Sequence, residues 1–154
     1  MKNTLDTREL MTGTDGCLFF EKDGVMVPML ELANYAVNMN IAAAQRQFVG
    51  DPTQKSIPTG VAFTLTLTES HVRDDLIMQP LLESIANGKF PVFQFQCKVE
   101  KPDGQEERLA LENVVPSGEF GLQNVTPGEI LERPMSFAIN KVPTYISSLA
   151  ATYM

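Results

Sequence analysis

The stretch Ala33-Asn34-Tyr35-Ala36-Val37-Asn38-Met39-Asn40-Ile41-Ala42 alternates strictly, with apolar Tyr35, Val37, Met39 and Ile41 separated by the small uncharged residues Asn34, Ala36, Asn38, Asn40 and Ala42. A period of two is the mark of a β-strand, whose successive side chains point to opposite faces. Val61-Ala62-Phe63-Thr64-Leu65-Thr66-Leu67-Thr68 repeats it, with Val61, Phe63, Leu65 and Leu67 on one parity and Ala62, Thr64, Thr66 and Thr68 on the other. A sheet built from both strands has one face ready for a core and one that is wet, flat and neutral. Solvated sheet faces normally alternate with polar groups of every kind, charged ones included. A face without any charge suits a surface that must not hold on to something charged, such as the wall of a conduit.

Working outward, Gly16 to Phe20 and Val25 to Met29 flank Lys22-Asp23-Gly24, and the Asp-Gly pair supplies the positive φ angles of a tight hairpin. The long strand runs from about Leu30 to Ala42, with a possible extension to Gln47. The breaker-rich segment Gly50 to Gly60 reads as a long loop before the second strand. Loops of this length are uncommon in compact domains, and residues 43–59 are therefore expected to be either a mobile tip or an arm that orders against a neighbouring copy.

Beyond the second strand, Ser70 is expected to cap a helix starting near His71, with Asp74 and Asp75 in the first turn where the helix dipole favours negative charge. Ile77, Met78, Leu81, Leu82 and Ile85 make one apolar stripe, Pro80 should kink or restart the helix, and Asn87-Gly88 should stop it. Such a helix covers a sheet's open face or edge. Pro91 to Val99, with Phe93, Phe95, Cys97 and Val99 inward, and Glu107 to Val114 read as another hairpin about Lys101-Pro102-Asp103-Gly104. Gly118 to Val125 and Ile130 to Lys141 complete the strands. In this last pair Phe120, Leu122, Met135, Phe137 and Ile139 point inward, and Gly121, Gln123, Ser136, Ala138 and Asn140 lie opposite.

The 154 residues suit a single domain with its own core, flanked by an N-terminal arm over 1–14 and a tail over 142–154. Apolar residues at 44% and charged residues at 20% are ordinary globular values and argue against wholesale disorder. No apolar run approaches the ~20 residues of a membrane-spanning helix, and the first twenty residues lack a basic start and greasy middle, which predicts a soluble, unexported chain without membrane binding of its own. The net charge of -7 argues against a protein that grips nucleic acid through its phosphates. Cys17 and Cys97 lie far apart within strand patterns and are expected to be free, small hydrophobes.

Reactive chemistry has little to work with. His71 is the single histidine, no Cys-x-x-Cys or His-Glu-x-x-His segment occurs, and no glycines fall at dinucleotide-binding or Walker spacing. The pairs Glu106-Glu107 and Asp74-Asp75 sit at a turn and at the expected helix start, where solvation and the dipole account for them. No Gly-x-Ser-x-Gly elbow is present. No enzyme activity, cofactor or metal is expected.

In its order of parts the chain resembles the tail tube proteins of contractile phage tails and of related defective-prophage and bacteriocin particles. The resemblance rests on Thr12-Gly13 to Phe20 with Gly16-Cys17-Leu18-Phe19, then Asp23-Gly24, the long strand, the Gly/Pro/Lys segment ending at Gly60, Thr64-Leu65-Thr66-Leu67-Thr68, one helix, and the Phe-rich hairpin at Phe93 and Phe95. It covers nearly the whole chain. It implies a mainly β (α+β) fold, an antiparallel β-sandwich or barrel-like subunit with one flanking helix, long hairpin arms and extended termini. Such subunits form hexameric rings that stack into a hollow tube, a barrel of about 24 strands, beyond the 16 to 18 that already leave an aqueous channel.

On that resemblance the lumen is lined by Asn34, Ala36, Asn38, Asn40, Ala42, Ala62, Thr64, Thr66, Thr68, Gln123, Ser136, Ala138 and Asn140. Glu31, Glu119 and Glu132 at the ends of these runs are candidates for negative rings. Arg46, Phe48, Asp51, Lys55, Ile57, Tyr145 and Tyr153 are expected to contact other subunits. The implied partners are further copies of the chain, the sheath, tape measure, baseplate and tail terminator proteins, with DNA only in passage. The implied location is the virion, or a phage-tail-like particle that leaks ions, after assembly in the bacterial host cytoplasm. A secretion-system inner tube is an alternative with the same architecture. A carbohydrate- or peptide-binding β-sandwich is a further one, and it predicts aromatic side chains on the polar face, whereas Tyr35, Phe63, Phe120 and Phe137 all fall on the buried parity.

Overall fold

Alternating side chains commit most of the chain to strands, and a computed structural model, describing residues 10–150, arranges them as β1 (Gly16–Lys22), β2 (Val25–Pro28), β3 (Leu32–Gln47), β4 (Gln54–Ser70), β5 (Phe93–Glu100), β6 (Glu106–Pro116), β7 (Glu132–Ile139) and β8 (Thr144–Ser147). Among the described residues one α-helix, α1, spans Met78–Ala86, and a single 3-10 turn, Gly13–Asp15, precedes β1. The strands form an antiparallel sheet in the order β2-β1-β5-β6-β7-β4-β3, with β8 added beside β6. Asp23 (φ 53°) and Gly24 (φ 80°) make the tight β1–β2 turn that Asp-Gly implies.

The sheet rolls without closing. β6 keeps β5 along one flank, while β8 at Arg108 to Ala110 and β7 at Val114 to Pro116 share the other. The hydroxyl of Tyr35 on β3 donates to the Cys17 carbonyl on β1 at 3.4 Å, bringing together strands from near opposite ends of the order. Burial pushes the Tyr35 hydroxyl up to about 12.

Inside the roll sit Leu18, Phe20, Leu65, Leu67, Phe93, Phe95, Leu111, Val114, Met135 and Phe137, with Ile77, Met78 and Leu81 packed over them from α1 and the turn before it. Phe20, Phe93, Phe95, Phe120 and Phe137 form a chain of edge-on and tilted ring pairs 5.2 to 6.4 Å apart. Each such pair adds about 0.5–1.5 kcal/mol beyond the area it buries. Cys97 is buried and free and Cys17 half-buried and free, and burial lifts the Cys97 thiol to about 12, which leaves it protonated and inert.

Three local expectations are corrected. Residues 43–59 are not a long loop, since β3 and β4 pair through Gln47↔Gln54 and only Phe48 to Thr53 turn. Pro58 is accommodated because β4 there has only β3 for a neighbour, β7 reaching no further than Phe63. The helix starts at Met78 rather than near His71, because Ser70 is used by β4 opposite Glu132. Pro80 accordingly falls in the first turn, where its missing N–H breaks no helical bond and produces no kink. Gly88 (φ 78°) ends α1 as expected, its amide bonding to Ile85 and that of Lys89 to Ser84.

The third correction is at 118–125, which is not a strand. After Pro116 the chain makes backbone hydrogen bonds to β7 through the Ser117 amide on Ser136 and the Gly121 amide on Pro134, and the Phe120 ring packs on Phe137, without a strand ladder. Gly121 is pressed so closely there that a Cβ would lie 2.6 Å from the Pro134 ring and 2.8 Å from the Asn124 amide. Gly121→Ala is therefore expected to lower stability by about 1–3 kcal/mol, the usual cost of overpacking, read as a lower denaturant midpoint at unchanged slope. An unchanged midpoint would mean that this segment shifts freely.

The tail is partly structured: β8 pairs with β6, and buried Lys101 donates through Nζ to the Ala150 carbonyl at 3.0 Å. Much of the expected N-terminal arm, together with Tyr153, lies outside the described residues.

Candidate conduit face and hairpin arm

The uncharged positions are brought together into one continuous surface. β4 lies between β3 and β7, so that Asn34, Thr68 and Pro134 form one row, Ala36, Thr66 and Ser136 the next, and Asn38, Thr64 and Ala138 a third. Asn40 and Ala62 extend it along the hairpin and Ala42 faces Gly60 beyond them. Asn34, Ala36, Asn38, Thr64 and Thr66 are exposed, while Thr68, Ser136 and Ala138 are half-buried. Asn140 is exposed just past the end of β7.

Charge returns on the same side of the sheet at Glu132, which opens β7 opposite Ser70, at Glu21 on β1, and at β5 and β6, where Lys98 stands opposite Arg108. Lys98 reaches Glu100 and Glu106 at 3.5 Å, and Arg108 meets Glu106 at 2.9 Å. The charge-free rows thus run from Asn34, Thr68 and Pro134 to Ala42 and Gly60, bounded by Glu132 at one end and by Arg46 and Lys55 beyond the bulge at the other.

Gln123 does not belong to this surface. With 118–125 irregular, it lines a cleft of about 540 Å³ beside α1, together with His71, Asp74, Met78, Leu82, Glu83, Leu122 and Arg133. Glu119 and Glu132 are exposed, whereas Glu31 is half-buried and its Oε1 is buried with no hydrogen-bond partner among the described residues.

The β3–β4 hairpin outruns the core. Past Val37 and Leu65 nearly every residue on both faces is exposed, and ten residues, Asn38 to Gln47, reach about 30 Å at the ~3.4 Å rise of a strand. Beyond a first register shift at the base, between Leu32 and Asn34, the register slips again between Ala42↔Gly60 and Ala43↔Pro58, leaving Thr59 as the extra residue of a bulge with its hydroxyl on the Ala42 carbonyl at 3.2 Å. Bulges bend a strand and re-aim its side chains. This one divides the charge-free hairpin from an arm in which Arg46 faces Lys55 directly, a like-charged pair. Lys55 leans to Asp51 at 3.6 Å, and at the tip Phe48 is 51% and Val49 107% exposed. Ile57 and Tyr145 are exposed as well.

The sequence reading missed a buried ion cluster at the other end of the hairpin. Arg133 and Glu69 are register partners and continue the inward parities of Phe137-Met135 and Leu65-Leu67, so both point into the protein. Arg133, 2% exposed, donates to Glu69 at 2.7 Å, to the Arg73 carbonyl at 2.5 Å and to Asp74. Burial raises the Glu69 carboxyl above its ordinary value despite the opposing pull of Arg133, and Glu31 adds to the rise. A charged pair at inward parity, ending two otherwise apolar runs in register, was the available signal.

Among the described residues no group of three or more His, Cys, Asp or Glu is placed to hold a metal ion, and no helix is long and apolar enough to cross a membrane.

No curated protein matches the chain by sequence. Solved structures share its fold at low identity. The tube-terminating cap of the anti-feeding prophage superposes with a TM-score of 0.68 at 11% identity, covering 95% of this chain and 97% of that one. The sheath-tube complex of the extracellular contractile injection system PVC in its extended state gives 0.65 at 8%, covering 90% and 93%. The SPP1 tail tube gives 0.62 at 12%, covering 92% and 81%. A family model described as phage tail tube protein matches residues 3–143. With nearly its whole length matched, the chain belongs to the phage tail tube protein family, whose members are structural proteins and not enzymes.

Proposed function

We propose that the chain assembles as hexameric rings, stacked into the hollow inner tube of a contractile tail, with the uncharged face of β3, β4 and β7 turned to the lumen. The observation that supports this reading is the continuous Asn, Thr, Ser and Ala surface, free of Lys, Arg, Asp and Glu across β3, β4 and β7 from the Asn34, Thr68 and Pro134 row to Ala42 and Gly60. Duplex DNA carries one negative charge per ~1.7 Å, and every basic side chain on the wall would be repeated in every subunit, adding sticky, salt-dependent contacts. A wall of amide, hydroxyl and methyl groups offers neither strong attraction nor repulsion, so DNA slides through. In a bacteriocin particle the same bore would leak ions.

Neighbouring copies meet along the exposed strand edges, which also removes edges that would template uncontrolled pairing. The arm residues Arg46, Phe48, Asp51, Lys55 and Ile57, with Tyr145 and Tyr153, make contacts between subunits, and residues 43–59 are the segment that leaves its own subunit. The finished tube sits in the virion or particle, assembled in the host cytoplasm, with sheath, tape measure, baseplate and terminator proteins as partners.

Negative-stain imaging of the concentrated purified chain is expected to show rings or tubes with a central hole. A chain that stays monomeric by size-exclusion chromatography at every concentration, with no particles on the grid, would overturn this reading.

A further inference from the structure

The cleft beside α1 and the tip of the β3–β4 hairpin are complementary in three independent respects. The first is shape and polarity: the cleft presents Met78, Leu82 and Leu122, and the tip presents Phe48 and Val49, the latter fully exposed at 107%. Bare apolar groups of this size at a hairpin end are poor solvent surface.

The second is charge. The arm carries Arg46 facing Lys55 on a molecule with 12 basic and 19 acidic side chains, and its own acid, Asp51, accepts the Thr53 amide at 2.8 Å and pairs with Lys55. The cleft is edged by Glu83, touched only weakly by Gln79 at 3.3 Å, and by Asp74, whose side chain stays 60% exposed.

The third is hydrogen bonding. Arg133 is 2% exposed and lines the cleft, yet its Nε–H has no hydrogen-bond partner among the described residues, and neither has the buried Nδ1 of His71 on the same wall. Because Glu69 and Asp74 already balance the guanidinium charge, the missing partner suits a neutral acceptor such as a backbone carbonyl. The tip, outside the β3–β4 ladder, carries such carbonyls at Val49 and Gly50.

We propose that the α1 cleft is the socket for the hairpin tip of a second copy of this chain: Phe48 and Val49 enter against Met78, Leu82 and Leu122, a tip carbonyl reaches Arg133 Nε–H, and Arg46 and Lys55 close over Glu83 and Asp74. This rests on the tube reading and names the site where one subunit receives another. The bulge at Thr59 gives the arm its separate direction, so the docking segment and the uncharged wall belong to one hairpin without sharing a task.

The test pairs two exposed positions, Val49 and Leu82, as the double variant Val49→Cys/Leu82→Cys. Mild oxidation of assembled material is expected to give a ladder of covalent multimers under denaturing, non-reducing electrophoresis, absent from each single variant. Glu83→Lys is expected to raise the concentration needed for assembly at least about tenfold at low salt, and adding Arg46→Glu to it is expected to recover most of that loss. Tubes that form normally but give no ladder, or a Glu83→Lys loss that Arg46→Glu deepens, would overturn the socket while leaving the tube intact. Failure of the unaltered chain to assemble would instead overturn the tube reading and the socket with it.

Discussion

Arg133→Ala is expected to destabilise the subunit by about 3–5 kcal/mol, the usual loss when one partner of a buried ion pair is removed and the other is left uncompensated. Glu69 is 3% exposed and depends on Arg133 for its nearest positive charge, with Glu31 adding a second carboxylate nearby. The loss carries a pH signature. Without Arg133 the folded protein holds a proton on Glu69 at pH values where the unfolded chain has already released it. The folded state then binds more protons than the unfolded one, and stability falls as pH rises through that window. Denaturant midpoints for the variant should be lowest near neutrality and recover toward the ordinary carboxylate range. Arg133→Ala/Glu69→Leu, which removes both charges, should restore much of the stability. A single variant as stable as the parent at neutral pH would show that water enters the site freely.

Thr64→Lys is expected to leave the subunit folded and the tube assembled but to cut DNA delivery by at least about tenfold, an estimate from the salt-dependent affinity that each added phosphate contact confers. Thr64 is exposed between Asn38 and Ala138, so a lysine stem has room and no buried group loses a partner. In a hexameric ring each substitution sets six ammonium groups around the bore, and stacked rings multiply them. Ejection triggered in vitro and followed by dye binding reads the effect directly. The delay should shrink as salt rises, because counterions then compete for the phosphates. Thr64→Ser serves as the neutral control. Normal delivery by particles whose tubes contain Thr64→Lys would mean that this face does not look into the bore.

How much was legible in the sequence depends on which interaction dominates locally. The alternation over 33–42 and 61–68 fixes the register only where it meets the core, at half-buried Tyr35, Val37 and Phe63 and buried Leu65 and Leu67, while Met39, Ile41 and Val61 carry the same parity out into the exposed hairpin. At the core a register slip of a single residue would turn every Leu and Thr over. Pro58 and Gly60 read as loop residues by local chemistry, yet both lie in β4 at the bulge, where there is a neighbour on one side only. Phe120 and Leu122 mimicked a strand period, but Gly118 (φ 93°) and the close approach of Gly121 to Pro134 send the chain over β7 instead, a tertiary contact that a local pattern does not carry. Ser70 had the chemistry of a helix cap and was claimed by the sheet ladder. Gln123 lies off the uncharged β3, β4 and β7 surface because its strand did not form.

The two outer strands of the sheet are unlike: β2 offers four residues ending in Pro28, which has no amide hydrogen to give, while β3 runs sixteen residues along a free edge. Like edges brought together, β3 against β3, would make a self-limiting pair of copies related by a two-fold axis. Continued growth demands that unlike surfaces meet, so any filament built this way has a front that differs from its back. In the tube proposed above, a stopper shaped for one extremity would fail at the other, and elongation would have a direction written into the monomer.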